Sequence, residues 1–150
     1  MSGELRLFAL DADDLAVVSA HVQDAVVQLH DLTWSRRERR FIMAMNRFVW
    51  ENAPTGLFRR KEYERRRSVL HFDRVTAVRY TGLETTRPDR VLSLLALTFA
   101  EIDPPSGQVE ILFAGGPTLR LSVECIEAQL ADLGPAWSTA HAPHHSLNAS

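Results

Sequence analysis

Two neighbouring apolar segments constrain the fold more than any other feature of the sequence. They are Ala25–Trp34 and Phe41–Trp50, separated by the polar stretch Ser35–Arg40, and this pattern is typical of two strands joined in a hairpin. Apolar side chains fall on both faces of each strand, which is too many for a sheet that leaves one face in water. The sequence therefore predicts a hairpin inside a larger β-structure in which both faces are covered.

An early helix is predicted over Ala12–Val22. Asp11 is a suitable N-cap, and acidic residues occupy the first turn, where the helix dipole favours them. One apolar stripe then follows at helical spacing, consisting of Leu15, Val18 and Val22.

A second helix is predicted near the end of the folded part. Ser122 is the expected N-cap, and Gly134-Pro135 is the expected stop. The apolar residues between them recur at helical spacing and are Val123, Ile126, Leu130 and Leu133. We expect this stripe to pack against the sheet and close the core.

Further strands are predicted between the two helices. The first, Val69–Tyr80, contains a polar break at Asp73-Arg74 that is typical of a β-bulge, and the others are Val91–Ala100, Gln108–Phe113 and Thr118–Leu121. The predicted fold class is α+β, a strongly bent, mostly antiparallel sheet or partly open barrel of six to seven strands, with one N-terminal and one C-terminal helix on the sheet. Residues 1–135 form one domain in this interpretation, and residues 136–150 form a flexible tail.

Length and composition fit one domain that folds alone. The chain has 150 residues, of which 45% are hydrophobic and 24% are charged. A single cysteine excludes an internal disulfide, and Met1–Leu10 lacks the apolar run of a signal peptide. We therefore expect a cytoplasmic protein with no membrane span.

Two stretches carry a family resemblance. The run from Val26 through Trp50, with its RRERRFIMAMNRFVWE segment, and GGPTLRLSVECIEAQLADLG near the end resemble a family of short alphaproteobacterial proteins, domain of unknown function 2948 (DUF2948). The resemblance covers most of residues 5–134 and implies a bacterial, cytoplasmic source. It implies no activity and no catalytic residues. The order of strands followed by a C-terminal helix also resembles pleckstrin-homology-like barrels, which says nothing about a ligand.

Two basic runs, Arg36–Arg40 and Arg59–Arg67, stand out as a candidate binding surface. If they lie at the same end of the sheet, their side chains create a field that attracts phosphate groups. The alternative, which we favour, is that both runs are solvated turns whose charges protect strand ends from edge pairing. The candidate anion-binding residues are Arg36, Arg37, Arg39, Arg40, Arg59, Arg60, Lys61, Arg65, Arg66 and Arg67.

No catalytic, cofactor or metal site is predicted. Gly115-Gly116 lacks the spacing of nucleotide-binding loops and fits a hairpin turn. Cys125 lies near the predicted start of the second helix, where a thiol can be reactive, but we favour the interpretation that it is an inert core residue. The tail histidines His141, His144 and His145 have no Cys or carboxylate anchor, so we expect only adventitious metal binding.

Three hypotheses for function remain. The leading one is a non-enzymatic interaction or scaffold domain of the cytoplasm whose partner is a protein, with a homodimer as one form of it. The alternative is an anion or nucleic-acid binder that uses the two basic runs. The third is an unrecognised small-molecule enzyme, which we do not favour and which requires a concave pocket with two or more titratable groups.

Overall fold

Ten β-strands form one antiparallel sheet in the computed structural model, which describes residues 5–49, 65–83 and 87–135. The described residues contain one α-helix, α1 (Ala12–Val22). The strands are β1 (Arg6–Ala9), β2 (Val26–Gln28), β3 (Leu32–Ser35), β4 (Arg40–Phe48), β5 (Arg65–Phe72), β6 (Val75–Thr81), β7 (Val91–Asp103), β8 (Ser106–Phe113), β9 (Thr118–Val123) and β10 (Ala128–Pro135).

The sheet is open, and its strand order is β1-β10-β5-β4-β2-β7-β8-β9-β6. β3 lies off this path and pairs with β4. Among the described strands, β1 pairs only with β10, β6 pairs only with β9 and β3 pairs only with β4, so each of these three strands has one edge without a described neighbour.

The early helix is confirmed with the bounds that the sequence predicts. Asp11 caps it, because the Asp11 side chain accepts a hydrogen bond of 2.8 Å from the backbone N–H of Asp14. Leu15, Val18 and Val22 are all buried in the core.

The predicted C-terminal helix is wrong, because that segment forms strand β10. β10 lies between β5 and β1, so its backbone groups find partners on both sides. Ala128, Leu130 and Asp132 alternate inward with the period of a strand, whereas Leu133 is 59% exposed. The fold class is therefore mostly β, and the prediction of an α+β fold with two helices was incorrect.

Two predicted strands are also divided. A 3-10 turn at Leu29–Asp31 separates β2 from β3 within the segment predicted as one strand. At Asp73-Arg74 the chain makes a corner between β5 and β6, where Arg74 has a φ of 61°. The link from β9 to β10 follows the same corner, since the Asp73 N–H donates to Glu127 O and the Glu124 N–H donates to Arg74 O.

The core lies against one face of the hairpin strand β4. Phe41, Met43 and Met45 are fully buried, whereas Ile42 and Ala44 on the opposite face are half-buried. Leu70 and Phe72 of β5 pair in register with Met43 and Phe41 and extend the same apolar layer. Buried side chains of β8, β9 and α1 complete it.

Candidate functional site

The first basic run lies in the turn between β3 and β4, and carboxylates of other turns neutralise part of it. Arg39 Nη1 is 3.0 Å from Glu124 Oε2, and Arg40 Nε is 2.7 Å from Asp73 Oδ1. The hydrogen bond to Asp73 and the charge of that carboxylate raise the pKa of Arg40. Arg36 and Arg37 are exposed.

The second basic run is only partly described. Arg65, Arg66 and Arg67 begin strand β5, whereas Arg59, Arg60 and Lys61 lie outside the described residues. The guanidinium of Arg65 lies 4.9 Å from the centroid of the Phe48 ring, an ordinary cation–π distance. Arg66 is only 9% exposed.

Arg67 is paired with side chains of two other segments of the chain. Its Nη2 is 2.9 Å from Asp31 Oδ1, and its Nη1 donates to Asn46 Oδ1 at 3.1 Å. Arg65 is therefore the one residue of Arg65–Arg67 that presents its charge to solvent.

The described arginines of the two runs are not brought together. Phe41 pairs with Phe72 at one end of β4 and β5, and Phe48 pairs with Arg65 at the other end. Because a strand rises about 3.4 Å per residue, Arg40 and Arg65 are roughly 25 Å apart. Anion binding by both runs stays a prediction, and the described residues offer no shared site for it.

A buried polar network joins side chains of β4, β5 and β10, and it was not among the features predicted from the sequence. Arg47 donates from Nε and Nη2 to the two carboxylate oxygens of Asp132, each at 2.9 Å, and both side chains are fully buried. Ser68 Oγ donates to Asp132 Oδ1 at 2.6 Å, and the Leu5 N–H donates to Oδ2 at 3.0 Å. Burial raises the pKa of Asp132, but the bonds from Arg47 and Ser68 outweigh it and the pKa is lowered.

This network is structural in its geometry. It ties β4, β5 and β10 together and attaches the start of β1 through Leu5. A period of two through Ala128, Leu130 and Asp132 was the sequence signal that could have placed Asp132 inside.

A cleft lies near the start of α1, and we call it the Cys125 cleft. It encloses about 330 Å³ and is formed where the start of α1, the β7–β8 hairpin and the β9–β10 link meet. The described residues that line it are Leu10, Asp11, Ala12, Phe99, Glu101, Pro105, Cys125 and Ile126.

The floor of the Cys125 cleft is apolar and depends on a glycine. Phe99 lies over Gly107, where an added Cβ would stand 2.7 Å from the Phe99 ring and 2.3 Å from the carbonyl oxygen of Ala100. Only glycine leaves room for this approach, so Gly107 holds the Phe99 ring in its place beside Ile126.

The charged side chains that line the Cys125 cleft, among the described residues, are two acids. Asp11 contributes a carboxylate whose Oδ1 also caps α1, and Glu101 is exposed on β7. Glu124 and Glu127 flank Cys125 and Ile126 in sequence, but they form ion pairs with Arg39 and Arg74. The negative charge of the cleft therefore comes from Asp11 and Glu101, beside the apolar side chains that line it.

Cys125 is half-buried in the link before β10 and not at the start of a helix. The argument that a helix N-terminus activates it therefore fails. Its thiol has no hydrogen-bond partner in the described part of the chain, and no three potential metal ligands cluster among residues 5–49, 65–83 and 87–135. His141, His144 and His145 lie outside the described residues.

The comparisons with known proteins decide the family. The family model of DUF2948, a protein of unknown function, matches residues 5–145. The chain belongs to this family. The match to the family extends past Pro135 into the segment expected to be a tail.

Searches of curated proteins and of solved structures found no match. The pleckstrin-homology-like fold and the alphaproteobacterial source therefore stay predictions. No helix within the described residues is long and apolar enough to cross a membrane.

Proposed function

We propose that this domain is a non-enzymatic interaction module of the bacterial cytoplasm, and that it binds a cationic, partly apolar segment of a partner protein in the Cys125 cleft. The observation that supports the proposal is the meeting of an apolar floor with two carboxylates, Asp11 and Glu101, where three separate parts of the chain converge. Leu10 beside them is 68% exposed.

The cleft suits a lysine or arginine side chain next to an apolar one. Such side chains lay their methylene stems on an apolar surface while the charged head reaches a carboxylate. Phe99, Ile126 and Leu10 offer the surface, and Glu101 offers an acceptor at the rim. A partner that covers Leu10 also removes a large exposed apolar side chain from water, which contributes to affinity.

The pocket required by the enzyme hypothesis exists here, since Asp11, Glu101 and Cys125 are all titratable. One oxygen of Asp11 is already used as the helix cap, and no described group accepts a proton from Cys125. Binding is therefore the function that this arrangement supports better.

The test uses the single cysteine as a reporter, because Cys125 is the only one in the chain. The full-length protein is alkylated with a maleimide, with and without an acetylated hexapeptide of alternating leucine and lysine. We expect the peptide to slow alkylation, and we expect added salt to weaken this protection. For each variant the alkylation rate with peptide is divided by the rate without it, which corrects for any change in the intrinsic reactivity of the thiol.

Two neutral variants localise the effect. Asp11→Asn keeps a good helix cap, and Glu101→Gln keeps its size, so the double variant should fold and lose most of the protection. Asp89→Asn changes an exposed acid outside the cleft and should behave like the natural sequence. Equal protection by a leucine–glutamate hexapeptide, or an equal loss in Asp89→Asn, would contradict the proposal.

A further inference from the structure

β3 and β6 each have one edge that pairs with no other described strand. They are joined at one end, where the Val75 N–H donates to the Arg39 carbonyl at 2.9 Å. β3 runs toward this junction and β6 runs away from it, so the two strands are antiparallel, yet they form no ladder. A cleft of about 220 Å³ lies at the other end, where Leu32 of β3 and Tyr80 of β6 both line it.

The side of β6 that points into the protein is apolar but incompletely covered. Val78 and Tyr80 pair in register with the buried residues Leu121 and Leu119 of β9. Val78 packs against the core, whereas Tyr80 remains 40% exposed. The cleft beside Tyr80, which Leu29 and Pro88 also line, has room for one apolar side chain.

The outward side of β6 carries an unbalanced charge. Arg79 stands directly opposite Arg120 of β9, and Arg120 Nε already donates to Glu110 Oε2 at 3.0 Å. Arg79 is exposed and forms no ion pair with any residue in the described ranges. Like charges that are directly opposite destabilise a sheet, so an acidic residue on the other side of Arg79 would be favourable.

We infer that the edge of β6 that no described strand covers is a docking site for one extended strand of a partner protein. The partner's backbone pairs with β6, its apolar side chains enter the cleft beside Tyr80, and an acidic side chain on its outward face binds Arg79. This site is separate from the Cys125 cleft, so either proposal can fail without the other.

The probe is an acetylated heptapeptide in which valine and threonine alternate and the central threonine is replaced by glutamate. It is titrated into the full-length ¹⁵N-labelled protein, and a matched peptide carries lysine instead of glutamate. We expect chemical-shift changes along β6 and β3. The glutamate peptide should bind at least roughly threefold more tightly than the lysine peptide. Methylation of the probe's backbone nitrogens that face β6 should abolish binding.

Charge exchange supplies the control. In Arg79→Glu the preference should reverse in favour of the lysine peptide, whereas Arg6→Glu, which changes an exposed arginine on β1, should retain the original preference. The inference is overturned by an unchanged preference in Arg79→Glu, by equal binding of the methylated probe, or by no shift changes at millimolar peptide. A dimer of the free protein that dissociates on Arg79→Glu would assign the edge to a second copy and would also overturn it.

Discussion

Arg47 on β4 holds Asp132 on β10 across the intervening strand β5, with both side chains fully removed from solvent. Ser68 of β5 lies between them and donates to the same carboxylate. Since an isolated charge in a protein interior is costly, the pairing of the two opposite charges offsets much of the cost of burying them.

Removing one partner of this pair should therefore lower the free energy of unfolding considerably. Asp132→Asn is expected to lower the free energy of unfolding by about 3–5 kcal/mol, because it removes the carboxylate charge that accepts two hydrogen bonds from the buried Arg47 guanidinium. Glu124→Gln, which breaks the exposed pair with Arg39, should cost under about 1 kcal/mol. Urea denaturation of the three proteins measures the difference.

The double variant R47M/D132L distinguishes an unpaired charge from lost packing. With both charges gone, the loss should be smaller than for Asp132→Asn alone, because apolar residues of similar volume replace a buried pair at little cost. A double variant less stable than the single one would show that the hydrogen bonds of Asp132 to Ser68 and Leu5 dominate instead.

The same pair should make stability depend on pH in the acid range. The pKa of Asp132 in the folded protein is lowered from its ordinary value of 3.8. As the pH falls below that value, the unfolded chain is therefore protonated at Asp132 before the folded chain is. The contribution of Asp132 is thus complete above pH 3.8 and is lost as the pH falls through the folded pKa.

Urea denaturation between pH 7 and pH 3 tests this dependence. The natural protein should lose stability below the ordinary pKa more steeply than Asp132→Asn does. Asp89→Asn, which changes an exposed carboxylate, should retain the natural slope. Parallel curves for the natural protein and Asp132→Asn would contradict the lowered pKa.

Leu130 and Leu133 discriminate the strand from the helix that the sequence predicts. A helix would bury both residues, but in β10 Leu130 is fully buried and Leu133 is 59% exposed. Leu130→Ala should therefore cost about 2–5 kcal/mol. Leu133→Ala should stay within about 0.5 kcal/mol of the natural protein. If chemical denaturation showed similarly large losses of stability for both variants, the result would favour the helix over the strand.

Features that depend on neighbours in the chain could be predicted from the sequence. The cap at Asp11 and the stripe of α1 involve residues within a few positions of one another, and the structure has the same bounds. The turn between β3 and β4 was also located, because a polar stretch between two apolar strands is a local signal. The break at Asp73-Arg74 was found as well, although it is a corner and not a bulge.

Features that depend on distant partners required the tertiary structure. Leu130 fits both the helical period that includes Ile126 and the strand period of Ala128 and Asp132, and pairing of β10 with β5 and β1 decided in favour of the strand. The period of two through Ala128 and Leu130 could have placed Asp132 inside, but the counter-charge that stabilises it there is on β4 and gives no signal near Asp132 in the sequence. The Cys125 cleft likewise joins residues of α1, β7 and the β9–β10 link, whose proximity follows from strand order and is not visible as spacing along the chain.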